Sequence, residues 1–405
     1  MECLDAPRGL GVWVSGPAKI VVEKGVFLAS GLRIEAGREI IIRANRGASF
    51  YSLEEARICV GMGASGSYRV LREGFELVEQ WSSIVEDIGS RGFRRIVVVG
   101  GVEAGKSTLT TWIHNVLGLP VVEADIGQNE LGTPAMVSYA SSSEPVIALQ
   151  DLAPSGGFFV GHVSAEKVMD LVVSASSRAV SRLSKGFVVD TDGFVDGRGA
   201  VYKRGLIEAL GPDAVVVLGS KPLAKALRGA GAEIIEAPAV PGSLVRLRSR
   251  GERRAYRQRA FASLFAGAKP MVLRGVDVVP LCPFTVAEDQ VVYTCSSRVY
   301  VESRKRPEPP AKWLRPHWAR GLVAGLRLRK GTDVLALVEE LDVAAQKVVV
   351  KPASLQSVSA EDVEQVMLGW IILGENYEEE HLEPLPYPAA LESRQARRPR
   401  RKTSQ

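Results

Sequence analysis

Cysteine is scarce in this chain: four among 405 residues, at Cys3, Cys59, Cys282 and Cys295. No two stand in C-x-x-C spacing, so neither a zinc site nor a disulfide framework is expected. Four histidines, His114, His162, His317 and His381, are scattered and suggest no metal-ligand cluster and no Ser-His-Asp arrangement. No apolar run is long enough to cross a bilayer. The start, Met1-Glu2-Cys3-Leu4-Asp5, lacks the basic and apolar segments of a secretory leader. The expectation is a cytoplasmic protein without membrane attachment. An Asn-Lys-x-Asp guanine-selecting element is missing too. Leu218-Gly219-Ser220-Lys221 occupies a comparable strand end without the distal Asp, which argues against a regulatory GTPase.

Length suggests two or three domains. Residues 1–75 read as a small β-sandwich or barrel, with short strands Lys19–Glu23, Val26–Leu28, Leu32–Glu35 and Glu39–Arg43 between glycine turns. Glu76, Leu77, Trp81, Ile84, Val85 and Ile88 then recur at helical spacing. From 92 to 270 strands and helices alternate, the pattern of a parallel sheet with crossovers. Its strands are expected at Ile96–Val99, Val121–Ala124, Pro145–Leu149, Phe187–Asp190, Ala214–Leu218 and Glu233–Glu236. From 271 the pattern returns to β, at Met271–Leu273, Val278–Leu281, Gln290–Tyr293, Gly321–Leu328, Asp333–Val338 and Lys347–Lys351. Arg304–Pro310 reads as an exposed loop. The fold class is therefore α/β: a central P-loop-type parallel sheet with helices on both faces at 76–270, flanked by β-domains at 1–75 and 271–390. A basic, disordered tail at 391–405 follows. The net charge of +5 is a modest hint of a polyanionic partner.

The densest signal is the run Ile96-Val97-Val98-Val99, which ends in Gly100-Gly101-Val102-Glu103-Ala104-Gly105-Lys106-Ser107-Thr108. This is G-x-x-x-x-G-K-S between a buried strand and a helix carrying Leu109, Trp112, Ile113 and Leu117. Backbone N–H groups of such a loop point at an anion. Gly101 through Thr108 are the candidate phosphate cradle, Lys106 the candidate contact to β- and γ-phosphates, and Ser107 the candidate ligand to Mg²⁺.

Further polar motifs fall at strand ends, where ligands collect in such sheets. Glu123-Ala124-Asp125-Ile126-Gly127-Gln128 offers Asp125 as catalytic base or holder of a Mg²⁺-bound water, and Gln128 as a partner for phosphate or nucleophile. A helix cap is the plainer role for Asp125. Asp190-Thr191-Asp192-Gly193-Phe194 offers Thr191 to a phosphate and the Phe194 ring to a base, with core packing the alternative for Phe194. His162, after Phe158-Phe159-Val160-Gly161, is a candidate substrate contact or a plain loop residue. Arg250, Arg253, Arg254 and Arg257 share one helical face. That face suits transition-state charge, a nucleic-acid backbone, or plain solvation.

In this order the motifs resemble the polynucleotide 5′-hydroxyl kinases that phosphorylate RNA ends. That family carries D-x-D-x-G-Q, here Glu123 to Gln128 with Glu for the first Asp. Its T-x-G-W clasp is similar to Thr191-Asp192-Gly193-Phe194, with Phe for Trp. Its R-x-x-x-R lid fits Arg253 to Arg257, and its G-H-x-S-P segment resembles Gly161-His162-Val163-Ser164, with Ala165 for Pro. The resemblance implies an N-terminal β-domain, a central kinase domain and a C-terminal β-domain. It implies ATP on Lys106 and Ser107 with Mg²⁺, activation of a 5′-hydroxyl by Asp125, and substrate positioning by Thr191, Gly193 and Phe194. Arg253 and Arg257 would stabilise the transferring phosphoryl group. RNA 5′ ends, with DNA second, are the implied acceptors, and RNA-processing proteins the implied partners. A non-catalytic ATP-binding scaffold and an ATPase with water as acceptor stand as alternatives.

Overall fold

A computed structural model describes residues 1–381 apart from 45, 245–248, 280–283, 288–289, 296–297, 316 and 355–356. The expected tail at 391–405 and Cys282 lie outside the described residues.

The first unit is a sandwich of two antiparallel sheets. One orders its strands Glu2–Ala6, Ala56–Met62, Ala18–Lys24, Glu39–Ile42; the other Leu32–Glu35, Val26–Ala29, Gly47–Ser52, Gly11–Ser15, Ser67–Leu71. Alternation puts Val12, Val14, Ile20, Val22, Phe27, Phe50 and Ile58 between them. One expectation fails here. Cys3 and Cys59 form a disulfide. They stand opposite each other in the antiparallel register of Glu2–Ala6 against Ala56–Met62. A separation of 56 residues along the chain concealed that pairing.

The central sheet has seven strands, ordered Gly156–Phe159, Met136–Ala140, Val121–Glu123, Phe187–Asp190, Arg95–Gly100, Ala214–Leu218, Glu233–Ala237. The last five in this order run parallel; Met136–Ala140 and Gly156–Phe159 add antiparallel. Along the glycine-loop strand, Ile96 and Val98 enter one core with Trp81 and Val85 of helix α1 (Phe75–Ser90) and Leu109 and Ile113 of α2 (Lys106–Leu117). Val97 and Val99 enter the other, with α3 (Met169–Val180), α4 (Arg198–Leu210) and α5 (Lys221–Leu227). This two-sided burial is what a continuous β-branched run encodes. The expected strand at Pro145–Leu149 does not form. Asn115 of α2 holds both backbone groups of Val146, at 2.8 and 2.9 Å, and His114 reaches the Glu144 carbonyl at 2.9 Å. Helix side chains thus satisfy the groups a ladder would have used. The strands Met136–Ala140 and Gly156–Phe159 take its place.

The last unit has a sheet ordered Met271–Arg274, Lys347–Pro352, Asp333–Asp342, Leu322–Leu328, Val363–Leu373, Asp277–Val279, with Glu379–His381 pairing Val363–Leu373. Phe284–Ala287, Gln290–Cys295, Arg298–Glu302 and Lys312–Leu314 form a smaller sheet. The larger one docks on the central domain through Phe159. A Cβ on Gly325 would sit 2.4 Å from the Phe159 ring, so only glycine allows the approach. The buried Asp333 carboxylate accepts from Phe159 N at 2.9 Å and pairs with Arg327. Helix α6 (Arg250–Phe265) fills the remaining angle. Phe261, Leu264 and Phe265 pack on Val323, Leu335, Leu337 and Ile371 of the sheet, and on Ala135, Met136 and Val163 of the central domain. No helix among the described residues is long and apolar enough to cross a membrane.

Replacing Asp333 with Ala strands Arg327 at this joint. The expected cost is about 3 kcal/mol, read as a lower urea midpoint; an unchanged midpoint would mean that the joint does not rest on this carboxylate.

Candidate active site

The glycine loop hangs between the central strand and α2. Glu103 and Gly105 take positive φ, 60° and 96°, and no side chain caps the α2 N-terminus. The first-turn N–H groups of α2 are thus left to a ligand, the arrangement an anion needs. Lys106 is buried, its Nζ donating to the Gly101 carbonyl at 2.7 Å across the loop.

Beside the loop the structure places a residue to which sequence reasoning gave no role. Asp190 ends the neighbouring parallel strand, is 1% exposed, and its side chain hydrogen-bonds Ser107. Burial raises its carboxyl, against the opposing pull of Lys106 and Ser107, to about 6. Its Oδ1 is buried without a hydrogen-bond partner among the described residues. An orphaned carboxylate oxygen next to the loop serine is suited to Mg²⁺ or a water bound to it. The sequence held half of the signal, an apolar strand ending in Asp; its pairing with the glycine-loop strand comes from the fold.

Asp125 starts the loop after Val121–Glu123. Its Oδ1 accepts from Gly127 N and Gln128 N, both at 2.9 Å. The capping role therefore exists, on a turn rather than a helix, and it occupies one oxygen only. Glu123 is fully buried and accepts from Asp125 N at 3.1 Å. Burial, then the Asp190 and Asp125 charges, push its carboxyl well above the ordinary range. Gln128 is half-buried in the same turn.

The turn at Thr191–Phe194 closes against the glycine loop. Thr191 is wholly buried, with its hydroxyl donating to the Val98 carbonyl at 2.8 Å. A Cβ on Gly193 would lie 2.8 Å from Val102 N, so contact with the loop backbone requires glycine. Phe194 is half-buried; its ring lies 6.5 Å from that of Tyr202 at 25°.

His162 is 4% exposed, and both ring nitrogens are engaged. Nδ1 accepts from Ser164 N at 2.9 Å and Nε2 faces His381 Nδ1 at 3.4 Å. Burial, then His381 and Lys167, lower its pKa to about 4. Its loop abuts the second motif, since a Cβ on Gly127 would lie 2.6 Å from the Val163 carbonyl.

Helix α6 starts on a capping box, Ser249 with Glu252. Arg250, Arg253, Arg254 and Arg257 line a cavity of about 470 Å³ with Glu379, Glu380 and His381. Arg257 grips the buried Glu379 carboxylate with two bonds, 2.5 and 2.8 Å, and Arg254 donates to the Glu379 carbonyl. His381 also touches Glu379, at 3.2 Å. A chain of contacts thus runs from Arg257 through Glu379 and His381 to His162, beside the Asp125 turn.

A glycine loop on the central strand, with an acid at the tip of each of two neighbouring strands, defines a P-loop phosphate-binding domain. Residues 100–267 match the family model described as mRNA cleavage and polyadenylation factor CLP1 P-loop. A polyribonucleotide 5′-hydroxyl-kinase of Pyrococcus furiosus is 31% identical over 185 residues, 43% of this chain and 51% of the relative. One of Thermococcus kodakarensis is 32% identical over 136 residues, 32% of this chain and 39% of the relative. The human polynucleotide 5′-hydroxyl-kinase NOL9 is 31% identical over 163 residues, 36% of this chain and 23% of the relative. The matched stretch thus spans about half the length of the Pyrococcus relative, and less of the others. The solved structure of a wild-type Clp1p–Pcf11p complex aligns with a TM-score of 0.59 at 14% identity, covering 91% of this chain and 97% of that one, which shows a shared fold.

Glu379 carries a pH signature. Burial alone would raise its carboxyl, but hydrogen bonds from His381 and Arg257 and the Arg257 charge hold it at about 2. Its stabilisation is therefore complete above the ordinary glutamate range, near 4.5, and lost as pH falls through about 2. Glu379→Gln is expected to lower stability at pH 7 by about 3 kcal/mol. It should also flatten the acid limb between those pH values. Equal acid limbs for variant and wild type in chemical unfolding would rule the pair out as the source.

Proposed function

We propose that the protein is an ATP-dependent polynucleotide 5′-hydroxyl kinase acting on RNA ends, with DNA as a second acceptor. One observation carries the reading. The Thr191–Phe194 turn packs on a phosphate loop whose Ser107 is bonded by Asp190, and the Asp125 turn ends the next strand on the same side. Donor binding, a base and an acceptor clamp thus meet at the end of one sheet. The kinase names of the relatives support the same reaction.

In this reaction the acceptor 5′-oxygen forms a bond to the γ-phosphorus while the bond from that phosphorus to the β,γ-bridging oxygen breaks, releasing ADP. The acceptor proton passes to Asp125. With Oδ1 committed to Gly127 and Gln128, the transfer runs through Oδ2. Lys106 leaves the Gly101 carbonyl for the β- and γ-phosphates. Ser107 and Asp190, with Asp125 near them, would hold Mg²⁺, which neutralises charge on the phosphate oxygens. Phe194 presents the acceptor end, Gln128 takes the contact to phosphate or nucleophile, and Thr191 and Gly193 act by fixing the turn to the glycine loop. His162, with both nitrogens engaged, braces the Asp125 loop. Arg253 and Arg257 supply positive charge to the transferring group; Glu379 orients Arg257 through two of its nitrogens. Most of the rate then comes from positioning and charge stabilisation. A cytoplasmic setting and a protein partner from RNA processing belong to the same reading, a partner being present in the Clp1p–Pcf11p complex.

The test is transfer of label from γ-³²P-ATP to a 5′-hydroxyl oligonucleotide. Wild type should label RNA ends. Asp125→Asn should lose about 10³-fold, and Lys106→Ala at least as much. ATP binding without labelling of any RNA or DNA end would replace the kinase with a scaffold. Phosphate release without oligonucleotide would replace it with an ATPase.

A further inference from the structure

The clasp turn rests on a second lysine that no motif includes. Lys203, on α4, has no exposed surface, and its Nζ lies 2.8 Å from Asp192 Oδ2. The contact is a buried ion pair, and the remaining ammonium protons meet no other acceptor among the described residues. Asp192 is itself buried and fully used. Oδ1 accepts from Phe194 N at 2.8 Å, closing the turn, and Oδ2 accepts from the Tyr202 hydroxyl at 2.9 Å. Tyr202 in turn stands beside the Phe194 ring, offset and near-parallel to it, with Lys203 Nζ 4.5 Å from the Tyr202 centroid. The first turn of α4 closes the rest, since a Cβ on Gly199 would lie 2.7 Å from the Phe194 carbonyl.

A buried lysine beside a buried aspartate is a costly way to hold a helix, because an apolar pair of similar volume often does as well or better. What the charges add is direction. Asp192 is pulled toward α4 by Lys203 and Tyr202 while its other oxygen holds Phe194 N, so the ring's angle depends on the pair.

We propose that Lys203 and Asp192, with Tyr202, are positioning residues that set the Phe194 ring for the first nucleotide of the acceptor strand. This rests on the kinase reading for the identity of the acceptor. The geometry gives the three residues separate tasks: Lys203 anchors the carboxylate, Asp192 closes the turn, and Tyr202 backs the ring. None of them touches the acceptor; each acts through Phe194.

A double-mutant cycle tests this with Lys203→Met, the milder Tyr202→Phe, and Phe194→Ala, read as oligonucleotide KM, ATP KM and direct oligonucleotide affinity by fluorescence anisotropy. Lys203→Met should raise oligonucleotide KM and Kd about tenfold and Tyr202→Phe about threefold, with ATP KM unchanged. In the Phe194→Ala background both effects should vanish, because nothing remains to be aimed. A purely structural role would add its cost to that of Phe194→Ala, or shift both KM values together; either result overturns the proposal. Should Lys203→Met not fold, Tyr202→Phe carries the cycle alone. The two readings fail separately. A wild type that binds the oligonucleotide with this coupling but transfers no phosphate refutes the kinase and leaves the positioning role standing. Transfer with additive effects refutes only the positioning role. A wild type that neither binds nor labels the oligonucleotide refutes both.

Discussion

Burying several carboxylates at one end of a sheet is the constraint on which this molecule turns. Glu123, Asp190 and Asp192 are nearly or wholly removed from water, and Asp125 stands half-buried among them. Unpaired, such groups repel one another and shed their charge; the upward displacement of Glu123 and Asp190 shows that pressure. The structure answers with two buried lysines, Lys106 and Lys203, and with backbone donors from the turns after each strand. Asp190 Oδ1 lacks a partner among the described residues, and a divalent cation there would add positive charge to the balance. The strain of the site and its chemistry thus have one source.

That constraint explains the architecture around it. Parallel strands bring their carboxyl ends to one edge, so acids far apart in the chain converge without any local signal. The clasp turn is fastened to the glycine loop by Thr191 on Val98 and by the glycine contact at Val102. The arginine helix takes its position from the C-terminal sheet. Its apolar side packs there, and its arginines reach Glu379 on the strand that sheet adds last. The C-terminal domain, silent in sequence, is in this way part of the arginine surface.

Legibility followed the range of the interactions. The glycine loop, its flanking strand and helix, and the alternation of strands and helices that marks a parallel sheet were readable because period and punctuation are local. Four consecutive strands of the N-terminal sandwich, from Ala18 to Ile42, were readable for the same reason, and the others on either side of them were not. What was missed depended on pairing across the chain: the Cys3–Cys59 bridge, the antiparallel edge strands Met136–Ala140 and Gly156–Phe159, and the acid at position 379. Pro145–Leu149 misled because its apolar run has its backbone groups held by Asn115 rather than by a ladder. Asp190 was in view, at the end of a named strand, yet its role needed the knowledge that this strand lies next to the glycine loop. Thr191 and His162 were chosen by type as substrate contacts, whereas their polar atoms are engaged inside the protein.

The central claim is that this buried charge centre is completed by a donor nucleotide and an acceptor hydroxyl together. The most direct measurement is the assembly of a complex with Mg²⁺, ADP and aluminium fluoride, a mimic of the phosphoryl group in flight, followed by trapped labelled ADP. The account predicts that stable trapping requires an oligonucleotide with a free 5′-hydroxyl and fails with the same oligonucleotide bearing a 5′-phosphate. Equal trapping with no oligonucleotide present would contradict it, because water would then suffice as the acceptor.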